Sequence, residues 1–156
     1  MHLSKEEALK KMQHYCAYQD RCHREVDRKL GKLGIWGDWA AEIKAELVRE
    51  NFLNEERFAR SFARGKFRIK GWGKIRIVRE LKKRDISDYC IRKALDEIGE
   101  EAYKERLQAL LEKKKARQRA LSAEKLYGKL VRYALQKGYE WDLVREAVGA
   151  MCFAED

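Results

Sequence analysis

Proline is missing from the 156 residues, and glycine occurs only 10 times. With 45% hydrophobic against 40% charged residues, that scarcity is the composition of helices joined by brief turns, so an all-α protein is expected. No apolar run approaches the ~18 residues that would span a bilayer, and the opening MHLSKEEALKK lacks the apolar centre of a signal peptide. No membrane partner is expected, and the cytoplasm is the expected compartment. The four cysteines, Cys16, Cys22, Cys90 and Cys152, form no CxxC pair, which favours reduced thiols over a disulfide framework. His14, Cys16, Cys22 and His23 lie close together, yet their spacing matches no zinc pattern, and ordinary placement on helix surface and core is expected. The only histidines, His2, His14 and His23, gather near the N-terminus. There is no GxxxxGKS/T phosphate loop, no GxSxG elbow and no cysteine with an evident base partner, so neither catalysis nor a cofactor is expected.

What is abundant is positive charge, unevenly spread. The net charge is +10, but residues 64–84 alone hold ten Lys or Arg against the single acid Glu80, giving +9, and residues 104–137 hold eleven against three acids, giving +8. Residues 85–103 and 138–156 each come to −4. A chain charged only for solubility would intersperse the signs, whereas alternating basic and acidic blocks suit contact with a polyanion, nucleic acid first.

A diverged repeat underlies the helices. Leu30 to Ile35 (LGKLGI), Leu81 to Ile86 (LKKRDI) and Ala134 to Tyr139 (ALQKGY) each end a helical pattern with a polar or glycine break and restart on an apolar residue, at offsets of 51 and 53. Val26, Ile77 and Leu130 stand four residues before these stretches, one helical turn along a buried face. After each break an apolar stripe recurs: Ile35, Ala40, Ile43 and Leu47; Ile86, Ile91, Ala94, Leu95 and Ile98; Tyr139, Val144, Ala147, Val148 and Met151. A further helix precedes each: SKEEALKKMQHY, NEERFARSFARGKF and EAYKERLQALLEKKKARQRA. Ser4 and Ser122 read as N-terminal caps, Asn54 precedes Glu55 and Glu56, acids that suit a helix N-terminus, and Gly34, Asp85 and Gly138 fall where a left-handed C-terminal cap is needed. Three tandem three-helix repeats in an elongated, curved array are expected, spanning residues 1–52, 53–99 and 100–156.

Gly71, Trp72 and Gly73 interrupt the densest charge, between the first and second helices of the middle repeat, where the glycines let the backbone turn. Trp72 either plugs the gap between those helices, which is the expected placement, or stands exposed as a stacking platform or protein anchor. Around it Arg64, Lys66, Arg68, Lys70, Lys74, Arg76 and Arg79 converge on one corner, as phosphate contact requires. Lys113, Lys114, Lys115, Arg117 and Arg119 form a second patch, which would be a solvated face if it lies on a long exposed helix.

The middle repeat, NEERFARSFARGKFRIKGWGKIRIVRELKKRDISDYCIRKAL, resembles the most recognisable segment of the RecX family. The likeness rests on the acidic opening before Arg57, Phe58 and Ala59, then on Gly71, Gly73, Ile77, Leu81 and Ile86. Arg21, Cys22, Glu25, Val26 and Leu30 fall where that family commonly shows Arg-Ser-x-x-Glu-Leu-x-x-x-Leu, with cysteine in place of a stronger capping serine. Asp85 stands where the family usually has glycine. The resemblance implies a non-catalytic regulator that lies in the groove of the RecA filament on single- or double-stranded DNA and suppresses its ATPase and strand exchange. It would act as a monomer, its repeats bridging neighbouring RecA subunits. The alternative is a stand-alone helical DNA- or RNA-binding module.

Overall fold

The computed structural model describes residues 3–153, so His2 lies outside it. Among those residues there are nine α-helices and no strand: α1 Lys5–Tyr18, α2 His23–Lys32, α3 Gly37–Arg49, α4 Glu55–Gly65, α5 Lys74–Lys83, α6 Asp88–Leu95, α7 Glu100–Ala116, α8 Ala123–Lys137 and α9 Trp141–Phe153. A π-helical turn, Lys66–Lys70, prolongs α4. No helix among the described residues is long and apolar enough to cross a membrane. Both expected caps form, Ser4 Oγ accepting from the Glu7 N–H at 3.1 Å and Ser122 Oγ from that of Lys125 at 3.3 Å, and Asn54 Oδ1 also caps α4, accepting from the Arg57 N–H at 2.9 Å. At the α2 start the Cys22 N–H donates to the Glu25 carboxylate at 3.1 Å, so this half of a capping box survives without serine.

The repeat is visible in the backbone. In LGKLGI the Ile35 N–H donates to the Leu30 carbonyl and the Gly34 N–H to that of Gly31, the paired bonds of a Schellman cap. The same pair closes α5, from Ile86 to Leu81 and Asp85 to Lys82, and α8, from Tyr139 to Ala134 and Gly138 to Leu135. Gly34, Asp85 and Gly138 carry the left-handed residue at φ 77°, 57° and 99°. A left-handed backbone suits glycine, and Asp85 tolerates it at some strain. Each cap lets an apolar residue turn back against its own helix, which is why Leu30 with Ile35, Leu81 with Ile86 and Ala134 with Tyr139 are all buried. The stripes continue inward through Ile43 and Leu47, Ile91 and Ala94, and Val144 and Val148. Leu95, expected in the core, is only half-buried, as are Ala40, Ala147 and Met151 at the edges of their stripes.

The chain gathers into two compact units. The first comprises the described residues up to Ser61 together with Leu81–Ala94; in it α1 packs on α2 and α3 around Ala8, Met12, Val26, Leu30, Ile43 and Leu47. The second comprises Phe62–Glu80 and the described residues from Leu95 onward, with α7, α8 and α9 packed on one another around Leu107, Leu111, Leu130, Val144 and Val148. The cysteine and histidine cluster of the first unit is dispersed by the fold: Cys16 and Cys22 are buried, His14 is exposed, and among the described residues no group of three or more His, Cys, Asp or Glu is placed to hold a metal.

A candidate polyanion-binding cleft

The second unit explains the two glycines. Gly71, at φ 69°, is the left-handed residue that ends the π-helical turn, and only it serves the reversal. Gly73 is there for a different reason. Its N–H donates to the Lys137 carbonyl at 2.7 Å and the Ile75 N–H donates to the Gly138 carbonyl at 2.9 Å, so the segment lies against the C-terminus of α8. A Cβ on Gly73 would overlap the carbonyl of Gly138, and one on Gly138 would meet Arg76. Both glycines permit this close approach, and only the one after α8 does so in a left-handed conformation.

Two buried tyrosines complete the clasp. Tyr139 Oη donates to the Gly71 carbonyl at 3.1 Å. Tyr103 Oη accepts from the Lys74 N–H at 2.8 Å and donates to the Glu140 carboxylate. Their rings stack with centroids 4.9 Å apart, and Phe67 lies 6.0 Å from Tyr103. Burial holds both phenols protonated well above their ordinary range, Tyr103 further reinforced by its bond to Glu140. These contacts tie residues 66–76 to α7 and α8 through backbone atoms, leaving the basic side chains of the segment free to take other positions.

Those side chains divide. Lys70, from the first predicted patch, joins Lys113, Lys114 and Arg117, from the second, around a cleft of about 350 Å³ whose walls also include Ile69, Arg106, Leu110, Tyr133 and Lys137. The two stretches that are separate in sequence therefore meet. The remaining candidates lie outside it. Arg64 pairs with Glu97 at 3.2 Å. Lys66 and Arg76 sit over the Trp72 ring at 5.0 and 4.2 Å, and Phe62 meets the indole edge-on at 6.2 Å. Trp72 is thus half-buried, neither fully enclosed as a plug nor a bare platform. Lys74 covers the Tyr103 ring at 4.7 Å, Lys115 donates to the Met151 carbonyl at 3.2 Å, and Arg68, Arg79 and Arg119 are exposed. The second patch is not one long helix: α7 stops at Ala116, leaving Arg117 and Arg119 in the connection to α8.

The electrostatics follow from what the cleft cations touch. Lys137 Nζ donates to the Lys70 carbonyl at 3.1 Å and Arg106 to the Arg68 carbonyl at 3.3 Å, while Lys114 lies 5.2 Å from the Tyr133 ring. Carbonyls and rings orient a cation without neutralising it. No carboxylate is among the described residues lining the cleft. Partial burial, with Arg76, Arg106 and Lys70 nearby, pushes the Lys137 ammonium below its ordinary value. An arriving anion would relieve that repulsion. Arg106 and Lys137 belong to the charged block 104–137 but not to a dense run, and only the packing of α7 on α8 turns them toward Lys70.

Residues 54–95 match the second three-helix domain of RecX and residues 101–148 the third, together more than half of the chain. The chain belongs to the RecX family. Over 143 residues it is 28% identical to the regulatory protein RecX of Streptococcus uberis, covering 92% of this chain and 55% of that protein. A RecX of Oceanobacillus iheyensis is 25% identical over 143 residues, covering 92% and 53%. The chain thus spans about half the length of the curated RecX proteins it matches. Its fold is similar to the crystal structure of RecX from Lactobacillus salivarius, with a TM-score of 0.83 at 25% identity over 94% of this chain and 96% of that one. A second RecX crystal structure gives 0.82 at 21% identity, over 97% and 73%. The clasp and the cleft fall within the segments that match the RecX domains.

Proposed function

We propose that this RecX-family chain regulates the RecA recombinase: it engages RecA filaments on single- or double-stranded DNA as a monomer and suppresses their ATP hydrolysis and strand exchange, without chemistry of its own. Its repeats would be residues 1–52, 53–99 and 100–156. The observation that carries this reading is the meeting of both basic stretches at one cleft, where Lys137 and Arg106 reach backbone carbonyls, Lys114 lies over a ring and no carboxylate is among the described lining residues. Such a surface binds phosphates or acidic side chains by charge, releases counterions on binding and weakens with salt. Lys70, Lys113, Lys114, Arg117, Arg106 and Lys137 are the contacts proposed.

The test is ATP hydrolysis by preassembled RecA filaments, with the protein titrated from well below the RecA concentration and DNA varied independently. Inhibition at substoichiometric protein, much reduced in a Lys70→Glu, Lys113→Glu, Lys137→Glu variant of unchanged helicity, is the expected result. Hydrolysis unaffected at equimolar protein, or restored fully by added DNA, would instead make the chain a plain nucleic-acid-binding module.

A further inference from the structure

The first unit holds a different cleft, between α1 and α2, of about 490 Å³, a size at which proteins hold small ligands or single groups of larger ones. Nothing in the charge pattern points to it, because residues 1–63 carry twelve Lys or Arg against eleven acids and look neutral on average. The fold sorts them. Lys10 and Lys11 on α1 and Lys29 on α2 line this cleft together with Tyr15, Tyr18 and Leu33, and no carboxylate is among the described lining residues. Lys11, Tyr15 and Tyr18 recur at the spacing that places them along one helix face.

The two tyrosines have different states. Tyr15 is a fixed wall: Arg21 Nε donates to its carbonyl at 3.1 Å and the Arg21 guanidinium lies 3.7 Å from its ring centroid, with Lys29 at 5.6 Å. Arg21 is in turn partly offset by Glu25 at 3.9 Å, so the lysines carry most of the remaining charge. Tyr18, the last residue of α1, is 79% exposed. It stands at the rim of a cationic groove floored by Tyr15 and Leu33. An exposed ring beside lysines is the arrangement that takes a planar, apolar group attached to an anion.

We propose that this cleft is a second nucleic-acid site, one that takes an unstacked base of a single strand against Tyr18 with its flanking phosphates on Lys10, Lys11 and Lys29. A duplex hides its base faces and could use only the lysines; an acidic protein segment could do the same but offers no flat face for Tyr18. The combination of ring and cations is the sequence-tolerant mode by which single strands are held. This extends the DNA-directed reading above to a separate surface, and its test avoids the filament assay so that either can fail alone.

The experiment measures fluorescence anisotropy of a short labelled oligothymidylate, and of a duplex of equal length, with the full chain in which Lys70, Lys113 and Lys137 are changed to Gln, so that the second unit contributes little. In that background Tyr18→Ala should weaken single-strand binding about tenfold. Tyr18→Phe should retain it, and duplex binding should be the same in all three. Lys10→Gln with Lys11→Gln should weaken binding and make it less salt-dependent. An oligonucleotide carrying 5-bromodeoxyuridine should crosslink to Tyr18 under ultraviolet light. These residues are exposed, and circular dichroism checks that folding is unchanged. Single-strand affinity unaffected by Tyr18→Ala, an equal loss on duplex, or tighter binding of polyglutamate than of the oligonucleotide would each overturn the proposal. Any of these alongside intact filament inhibition would leave the regulatory reading standing.

Discussion

In the first unit Arg57 reaches the Asp20 carboxylate at 2.7 Å, Lys44 reaches Asp27 at 3.0 Å and Arg60 reaches Glu56 at 3.1 Å; in the second, Lys137, Arg106 and Lys115 reach backbone carbonyls at 3.1, 3.3 and 3.2 Å. The distances are alike and the consequences are not. A carboxylate satisfies a donor and cancels its charge, whereas a carbonyl satisfies the donor and leaves the charge in place. Hydrogen-bond satisfaction and neutralisation are therefore separable, and a helical repeat can keep its basic side chains ordered while leaving them electrostatically available. Arg64, paired with Glu97 in the second unit, shows that the distinction belongs to positions and not to every cation of a unit.

The two units differ in how their cations are held, so their cores should behave alike. Leu81, in the first unit, and Leu130, in the second, are both fully buried, and truncating either to Ala should cost about 2 to 5 kcal/mol in denaturant unfolding. A near-neutral result at one of them would mean that the units differ in packing as well. Gly73→Ala probes the clasp of the second unit. The added methyl meets the Gly138 backbone, and a loss of about 1 to 3 kcal/mol is expected, together with weaker DNA binding because Lys70 and Lys137 are held by the same segment. Stability lost with unchanged binding would separate the clasp from the cleft.

Tyr103→Phe should cost about 1 to 3 kcal/mol, since the Lys74 N–H and the Glu140 carboxylate lose their partner. It also carries a pH signature. Tyr103 and Tyr139 keep their protons in the folded chain above the pH near 10 at which an unfolded tyrosine ionises. The unfolded state then binds fewer protons, so stability present below about pH 10 is lost as pH rises beyond it. The lowered Lys137 value acts in the opposite direction, as its charged form is the disfavoured one and the folded chain gains as that ammonium deprotonates. Thermal melts across the alkaline range should show a net loss that is shallower in Tyr103→Phe. An unchanged slope would place the effect elsewhere.

The triplets were legible in the sequence because local rules set them: apolar residues return at 51 and 53, caps need Ser or Asn, and a left-handed residue must precede each restart. The cleft was half legible. Charge density picked out Lys70, Lys113, Lys114 and Arg117, but it gave equal weight to Arg68, Arg79 and Arg119, which point elsewhere, and passed over Arg106 and Lys137. Whether a cation meets a carboxylate, a ring or a carbonyl depends on how α7 packs on α8, which no local pattern encodes. Gly73 was read as a turn for the same reason: the backbone it approaches lies 65 residues away. The lysines of the first unit disappeared in a local average, since residues 1–63 carry eleven acids against twelve Lys or Arg.

The most direct test of the central claim is the salt dependence of DNA binding by the wild-type chain and by the Lys70→Gln, Lys113→Gln, Lys137→Gln variant. If these cations are available, log affinity should fall linearly with log salt, and the variant's slope should be shallower by about 0.7 to 0.9 for each phosphate contact removed, roughly 2 to 3 in all. Identical slopes for the two proteins, or binding that salt does not weaken, would contradict it.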